Sequence, residues 1–113
     1  MTPRIVLALI AASAACGGDA TGGSVEGPAL YAKLCATCHG ANGKPQAAME
    51  LRLGVRDLTS PELRARITPA LVEQQLRRGS DNKLMPSFEG LINDAQLKAL
   101  SAYVASPEFL GTR

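Results

Sequence analysis

LCATCHGANG, Leu34 to Gly43, holds two of the three cysteines and the only histidine of this 113-residue chain. Within it, Cys35-Ala36-Thr37-Cys38-His39 concentrates the metal and redox chemistry. A structural zinc site wants four protein ligands. Cys35, Cys38, His39 and the remote Cys16 are the only thiols and imidazole on offer, and His39 follows Cys38 too directly for both to converge on one ion. A redox dithiol belongs at a helix start that follows a strand. This Cys-x-x-Cys lies instead near the end of a helical stretch, in a chain with no alternating strand pattern.

Covalent haem fits the spacing better, Cys-x-x-Cys-His being the c-type attachment signature. Residues i and i+3 share one helix face, so both thiols can reach the two vinyl groups on one porphyrin edge as thioethers. His39 is rotated about 100° further and can turn its imidazole toward the iron. With the one histidine used, a second axial ligand has to be Met or Lys. Met49, ten residues after His39, sits in AAMELRL, where a thioether reads as core filling. Met85 lies far enough along to wrap the ring, in a loop that Pro86 stiffens. Met85 is the expected distal ligand.

Composition narrows the rest. The 12 basic and 10 acidic residues give a net charge of +2, against a nucleic-acid footprint, which wants a strong basic excess. Six arginines lie between Arg52 and Arg78, interleaved with Glu50, Asp57, Glu62 and Glu73, and read as a mixed solvated surface. No base–nucleophile pair or phosphate loop marks an enzyme or a small-molecule substrate. Aromatic residues are limited to Tyr31, Tyr103, Phe88 and Phe109, so a bound group is expected to complete the core.

The first quarter is different in kind. Arg4 precedes the apolar run Ile5–Ala15, too short for a membrane-spanning helix of about 20 residues but of the length and order of an export signal. Ser13-Ala14-Ala15-Cys16 at its end resembles the lipobox of bacterial lipoproteins, with Ser13 where that family usually carries Leu. The resemblance implies cleavage before Cys16 and its acylation; ordinary signal cleavage nearby is the alternative. The expected organisation is a signal peptide over 1–15, a flexible Gly-rich tether over 16–26 and one domain over 27–113. As a coil the tether would span roughly 17–20 Å, and multiple acyl chains exceed what stable anchoring requires.

The domain reads as all-α, four to five short helices with loops. Pro28 suits the first turn of a helix running to His39. One short helical stretch can lie within the loop between Ala41 and Val55. Ser60-Pro61-Glu62 and Thr68-Pro69 are two capped starts, and Gly79 is a natural stop for the second. Asn93 or Asp94 caps the last helix, and Gln96 can complete a capping box from Asn93; this helix carries Leu97, Leu100, Tyr103 and Val104 on one stripe and ends before Pro107.

These residues resemble a class I, monohaem c-type cytochrome of bacteria. Cys35-Ala36-Thr37-Cys38-His39-Gly40 matches the haem motif, Leu84-Met85-Pro86-Ser87-Phe88 the distal-ligand loop, and GLINDAQLKALSAYVAS the C-terminal helix. Gly27-x-x-x-Tyr31 resembles the N-terminal helix pattern, in which glycine lets that helix cross the C-terminal one closely. Pro45 resembles the proline whose carbonyl accepts from the proximal histidine. The resemblance implies the cytochrome c fold around one covalent haem c, with Cys35 and Cys38 as thioether anchors and His39 and Met85 on the iron. It implies electron transfer between redox protein partners, by a monomer exported to the periplasm and tethered to the membrane. Two alternatives stand beside it: a cytochrome subunit of a larger oxidoreductase, and a haem sensor or peroxidase-like protein in which Met85 dissociates.

Overall fold

The computed structural model describes residues 23–111. The expected signal segment, Cys16 and most of the expected tether lie outside the described residues. Seven helical segments follow one another: α1 Gly27–Leu34, α2 Ala36–His39, α3 Ala47–Leu53, α4 Pro61–Arg66, α5 Pro69–Arg78, α6 Asp94–Ala105 and α7 Glu108–Gly111. No strand forms among the described residues; one isolated bridge pairs Glu89 with Ile92 before α6. The all-α expectation holds, with two differences of detail. The helix expected over Pro28–His39 breaks at Cys35, whose ψ of −34° accompanies a φ of −120°. Beyond Pro107 the chain makes one more turn, α7, which seats the buried Phe109.

Local signals account for the starts. The Ser60 Oγ accepts from the Leu63 N–H at 3.3 Å, and the Thr68 Oγ1 from the Leu71 N–H at 3.2 Å. Each satisfies one of the orphan donors of a helix N-terminus, with Pro61 and Pro69 filling first-turn positions that need no donor. The capping box of α6 is complete: Asn93 Oδ1 accepts from Gln96 N–H at 2.8 Å, and Gln96 Oε1 from Asn93 N–H at 2.9 Å. The buried Gln96 amide then donates to the Ser24 carbonyl at 2.9 Å, tying the start of α6 to the chain ahead of α1.

Three helices make the frame. α6 packs against both α1 and α5, burying Leu97, Leu100 and Val104 against Leu30, Tyr31 and Leu76. The α1–α6 crossing is tight at Gly27. A methyl on that residue would run into the Tyr103 Cβ and come within 3.0 Å of the Ala99 carbonyl oxygen. Below the crossing, the rings of Tyr31, Tyr103 and Phe109 meet edge to face at centroid distances of 5.1 to 6.3 Å. The C-terminal end of α6 is closed by Arg64. Its guanidinium donates to the Val104 and Ser106 carbonyls at 2.8 and 3.0 Å and lies over the Phe109 ring. These carbonyls are among those a helix C-terminus leaves unpaired, so α4 is pinned to α6 through one side chain.

Candidate functional site

The frame leaves a cavity of about 510 Å³, walled by α1–α2 on one side and by α4, α5 and the loop after α5 on the other. Its lining is dominated by aliphatic side chains, with Leu76, Leu100 and Val104 shared with the core. The volume falls in the range of roughly 300–1,000 Å³ usual for sites that enclose a cofactor-sized ligand. Cys35, Cys38, His39 and Met85 all line it. The chain therefore brings two thiols, an imidazole and a thioether, separated by up to 50 positions in sequence (85 − 35), into one enclosure. Met49, the rival methionine, is on α3 and is not part of that lining.

The motif is anchored at its C-terminal end by two contacts. The Tyr31 hydroxyl donates to the Gly40 carbonyl at 2.6 Å, holding the end of α2 against α1. His39 Nδ1 lies 3.0 Å from the Arg56 carbonyl. A carbonyl only accepts, so the proton belongs on Nδ1, and Nε2 keeps its lone pair. Burial lowers the His39 pKa, against the opposing effect of that carbonyl, and so favours the neutral, ligating form.

This partner corrects one expectation. Pro45 does not accept from His39; it is buried in the turn after the motif, while Arg56 supplies the acceptor. The Leu58 N–H donates to the Gly43 carbonyl at 2.8 Å, folding residues 56–58 back onto that turn. Asp57 fixes the fold-back, accepting from the Thr59 N–H and hydroxyl at 2.8 and 2.6 Å and pairing with Lys44 at 3.2 Å. The Arg56 carbonyl is thereby placed beside the imidazole.

Met85 packs against the edge of the core and is also held through its backbone. Its N–H donates to Ser80 Oγ and its carbonyl accepts from the Ser80 N–H, both at 3.0 Å. Next to it, the Ser87 hydroxyl donates to the Arg77 carbonyl at 2.6 Å and the Phe88 N–H to the Leu76 carbonyl at 2.7 Å. The loop is thus stitched to the last turn of α5. Gly79 makes this possible: its φ of +71° turns the chain, and a Cβ there would lie 2.7 Å from the Met85 carbonyl oxygen.

Burial first, and the neighbouring Cys38 second, push the Cys35 thiol up to about 12. A thiol held protonated is the opposite of the lowered-pKa thiolate that a dithiol oxidoreductase or a zinc site uses. Among the described residues no group of three or more His, Cys, Asp and Glu side chains comes together to hold a metal ion. An apolar enclosure with a thiol pair at one side, an imidazole with a free Nε2 and a soft thioether is the donor set of a haem c site, and these residues fit that group.

The fold and this site define a c-type cytochrome domain. Residues 25–104 match the family described as cytochrome c oxidase, cbb3-type, subunit III, and the chain belongs to it. Over 89 residues, 78% of this chain, it is 35% identical to the dihydro-heme d1 dehydrogenase of Pseudomonas aeruginosa. The aligned part is 16% of that protein, so the chain spans about a sixth of the length of this curated relative. Among solved structures it resembles the KustC0563 c-type cytochrome, with a TM-score of 0.62 and 30% identity over 71% of this chain and 94% of the other. The family is one of haem-binding electron-transfer domains, which work with redox protein partners.

Proposed function

We propose that the protein is an electron carrier with one haem c, bound covalently through Cys35 and Cys38 and ligated by His39 and Met85. The observation that carries this reading is the single cavity lined by all four residues. The haem, when bound, supplies a one-electron Fe(III)/Fe(II) couple. The chain supplies the rest. Cys35 and Cys38 fix one edge of the ring. The Arg56 carbonyl orients His39 and keeps its proton on Nδ1. Met85 offers a neutral, soft sulfur that favours the reduced state and raises the potential. His39 and Met85 together would hold the iron and leave no position on it for a substrate. The aliphatic walls keep water from the ring and limit reorganisation on electron transfer.

The carrier works outside the bacterial cytoplasm, exported by the signal segment and tethered through acylated Cys16, with separate proteins as donor and acceptor. No helix among the described residues is long and apolar enough to cross a membrane. A second reading is favoured by the comparisons: the family is described as an oxidase subunit, and the relative of P. aeruginosa is a much longer dehydrogenase. In that case the domain relays electrons within a larger oxidoreductase.

Expression with a c-type maturation system is expected to give a low-spin haem that stays attached under denaturing conditions. Met85→Ala should lose the methionine–iron charge-transfer band and lower the potential, whereas Met49→Ala should leave both unchanged. Reversal of those two results would overturn the ligand assignment. Detergent extraction followed by intact mass tests the acyl chains on Cys16. Native sizing of the extract separates a free carrier from a subunit, and peroxide turnover by the wild type would indicate that Met85 leaves the iron.

A further inference from the structure

Arg77 lies near the end of α5, outside the cavity lining, and its guanidinium serves three carboxylates at once. Glu73, one turn back on α5, is at 2.9 Å; Glu89, in the loop after Met85, at 2.8 Å; Asp94, which opens α6, at 3.2 Å. Lys98 completes the cluster, 3.5 Å from Glu73. The Glu73–Arg77 pair, spaced i to i+4, is ordinary support for a helix surface. The other two pairs are not, because Glu89 and Asp94 belong to the chain that leaves the Met85 loop for α6. The Arg77 backbone engages the same chain, its carbonyl accepting from the Ser87 hydroxyl at 2.6 Å. Ser87 and Glu89 follow Met85 by two and four positions (87 − 85, 89 − 85). One residue of α5 therefore grips the segment just beyond the ligand loop through both its backbone and its side chain.

Isolated exposed ion pairs contribute little to stability. A single cation shared by carboxylates from three stretches of chain is a different case. Without it, three negative charges face one another with only Lys98 beside them. Glu73 is fixed within α5 and Asp94 in the first turn of α6, whereas Glu89 is carried by a loop and is the one that can give way. Displacement of Glu89 from α5 pulls on Ser87 and, through it, on Met85. We propose that Arg77 is a positioning residue for Met85: from outside the cavity, its guanidinium holds the segment that follows the ligand loop against α5 and so keeps the thioether on the iron. The inference rests on the reading of Met85 as an axial ligand and adds what secures that ligand at long range. Ser80 holds the Met85 backbone itself; Arg77 holds the chain that follows it.

The test uses the full-length, haem-loaded protein and three variants: Arg77→Gln, Lys98→Gln and Arg77→Gln/Glu89→Gln. Lys98→Gln is the control, since it takes the same charge from the same cluster without touching the segment beyond Met85. Imidazole, which competes with methionine for ferric iron, is the probe, and loss of the methionine–iron charge-transfer band reads its binding. Its apparent affinity reports how often Met85 is off the iron, because binding is weakened by the fraction of protein that is closed to it. Arg77→Gln should tighten imidazole binding by about three- to fivefold, the scale of an exposed ion-pair network, and Lys98→Gln should leave it as in the wild type. The double variant should return most of the way to the wild type, because the repulsion goes with the Glu89 charge. A defect of α5 itself would persist there, since both variants lack Arg77. If Arg77→Gln matches Lys98→Gln, or the double variant matches Arg77→Gln, the cluster is surface charge with no hold on the ligand and the proposal fails. A wild type with no methionine–iron band overturns the ligand reading and the proposal together; a wild type with the band and variants alike overturns the proposal alone.

Discussion

His39 depends on a residue that carries no chemistry of its own in this role, since Arg56 contributes only a carbonyl. Asp57 and Thr59 determine where that carbonyl lies. The Thr59 hydroxyl, above all, holds the Asp57 carboxyl below its ordinary value of 3.8, with Lys44 assisting. A carboxyl depressed in the folded state adds stability that is present above its ordinary value and lost as pH falls through the lower folded value. Thr59→Val should move the folded value back toward 3.8, so that the acid-linked loss becomes smaller and is complete at a higher pH; an NMR titration of Asp57 checks this. Gly79 plays the matching part for Met85. Alanine there faces both a φ of +71° and the Met85 carbonyl at 2.7 Å, and left-handed strain alone costs on the order of 1–3 kcal/mol. Gly79→Ala should lower stability by about that amount and weaken the methionine–iron charge-transfer band. A loss of stability with the band intact would mean that the loop yields without moving the ligand.

The elements show which features a sequence can reveal. Capping is local, so Ser60, Thr68 and the Asn93–Gln96 box are legible without any tertiary information. The glycine in Gly27-x-x-x-Tyr31 is legible only through a family resemblance, because its reason lies 76 residues away at Tyr103 (103 − 27). The acceptor for His39 could not be read at all: every residue has a carbonyl, and only the fold-back at Leu58 selects that of Arg56 over that of Pro45. The six arginines read as one mixed surface, yet the fold gives five of them three distinct settings, on the α6 carbonyls (Arg64), in the Arg77 ion-pair cluster, and in the cavity lining (Arg56, Arg66 and Arg78), and leaves Arg52 on the exposed surface. At the α1–α6 crossing, Gly27→Ala puts a methyl against a side-chain Cβ and a backbone oxygen, neither of which can rotate away. Overpacking of this kind costs about 1–3 kcal/mol. Urea unfolding of the haem-loaded protein should show the midpoint falling with the slope unchanged; an unchanged midpoint would mean that the helices part at no cost.

At the scale of the whole molecule, the hydrophobic core is too small to account for the fold by itself. Nine apolar side chains are buried among the described residues, and they cluster where α1, α5, α6 and α7 meet. Away from that cluster, α4, α5 and the Met85 loop face α2 across a cavity of about 510 Å³ rather than each other. Leu53, Leu71 and Leu84 on its walls are all exposed, as expected of side chains meant to lie against a ring. If about 500 Å² of apolar ring surface is buried there, at about 25 cal/mol per Å² the contribution is on the order of 10 kcal/mol. That equals the whole net stability of a typical domain, about 5–15 kcal/mol. On the proposed reading the haem would be the larger part of the core, and thioethers to Cys35 and Cys38 would make its contribution permanent by preventing its release. Cys35→Ser/Cys38→Ser, produced without haem, should therefore lack cooperative unfolding and most of the helical far-UV signal. A cooperatively melting, helical apoprotein would mean that the α1–α5–α6 frame is self-sufficient and that the cavity is preformed for its ligand rather than formed by it.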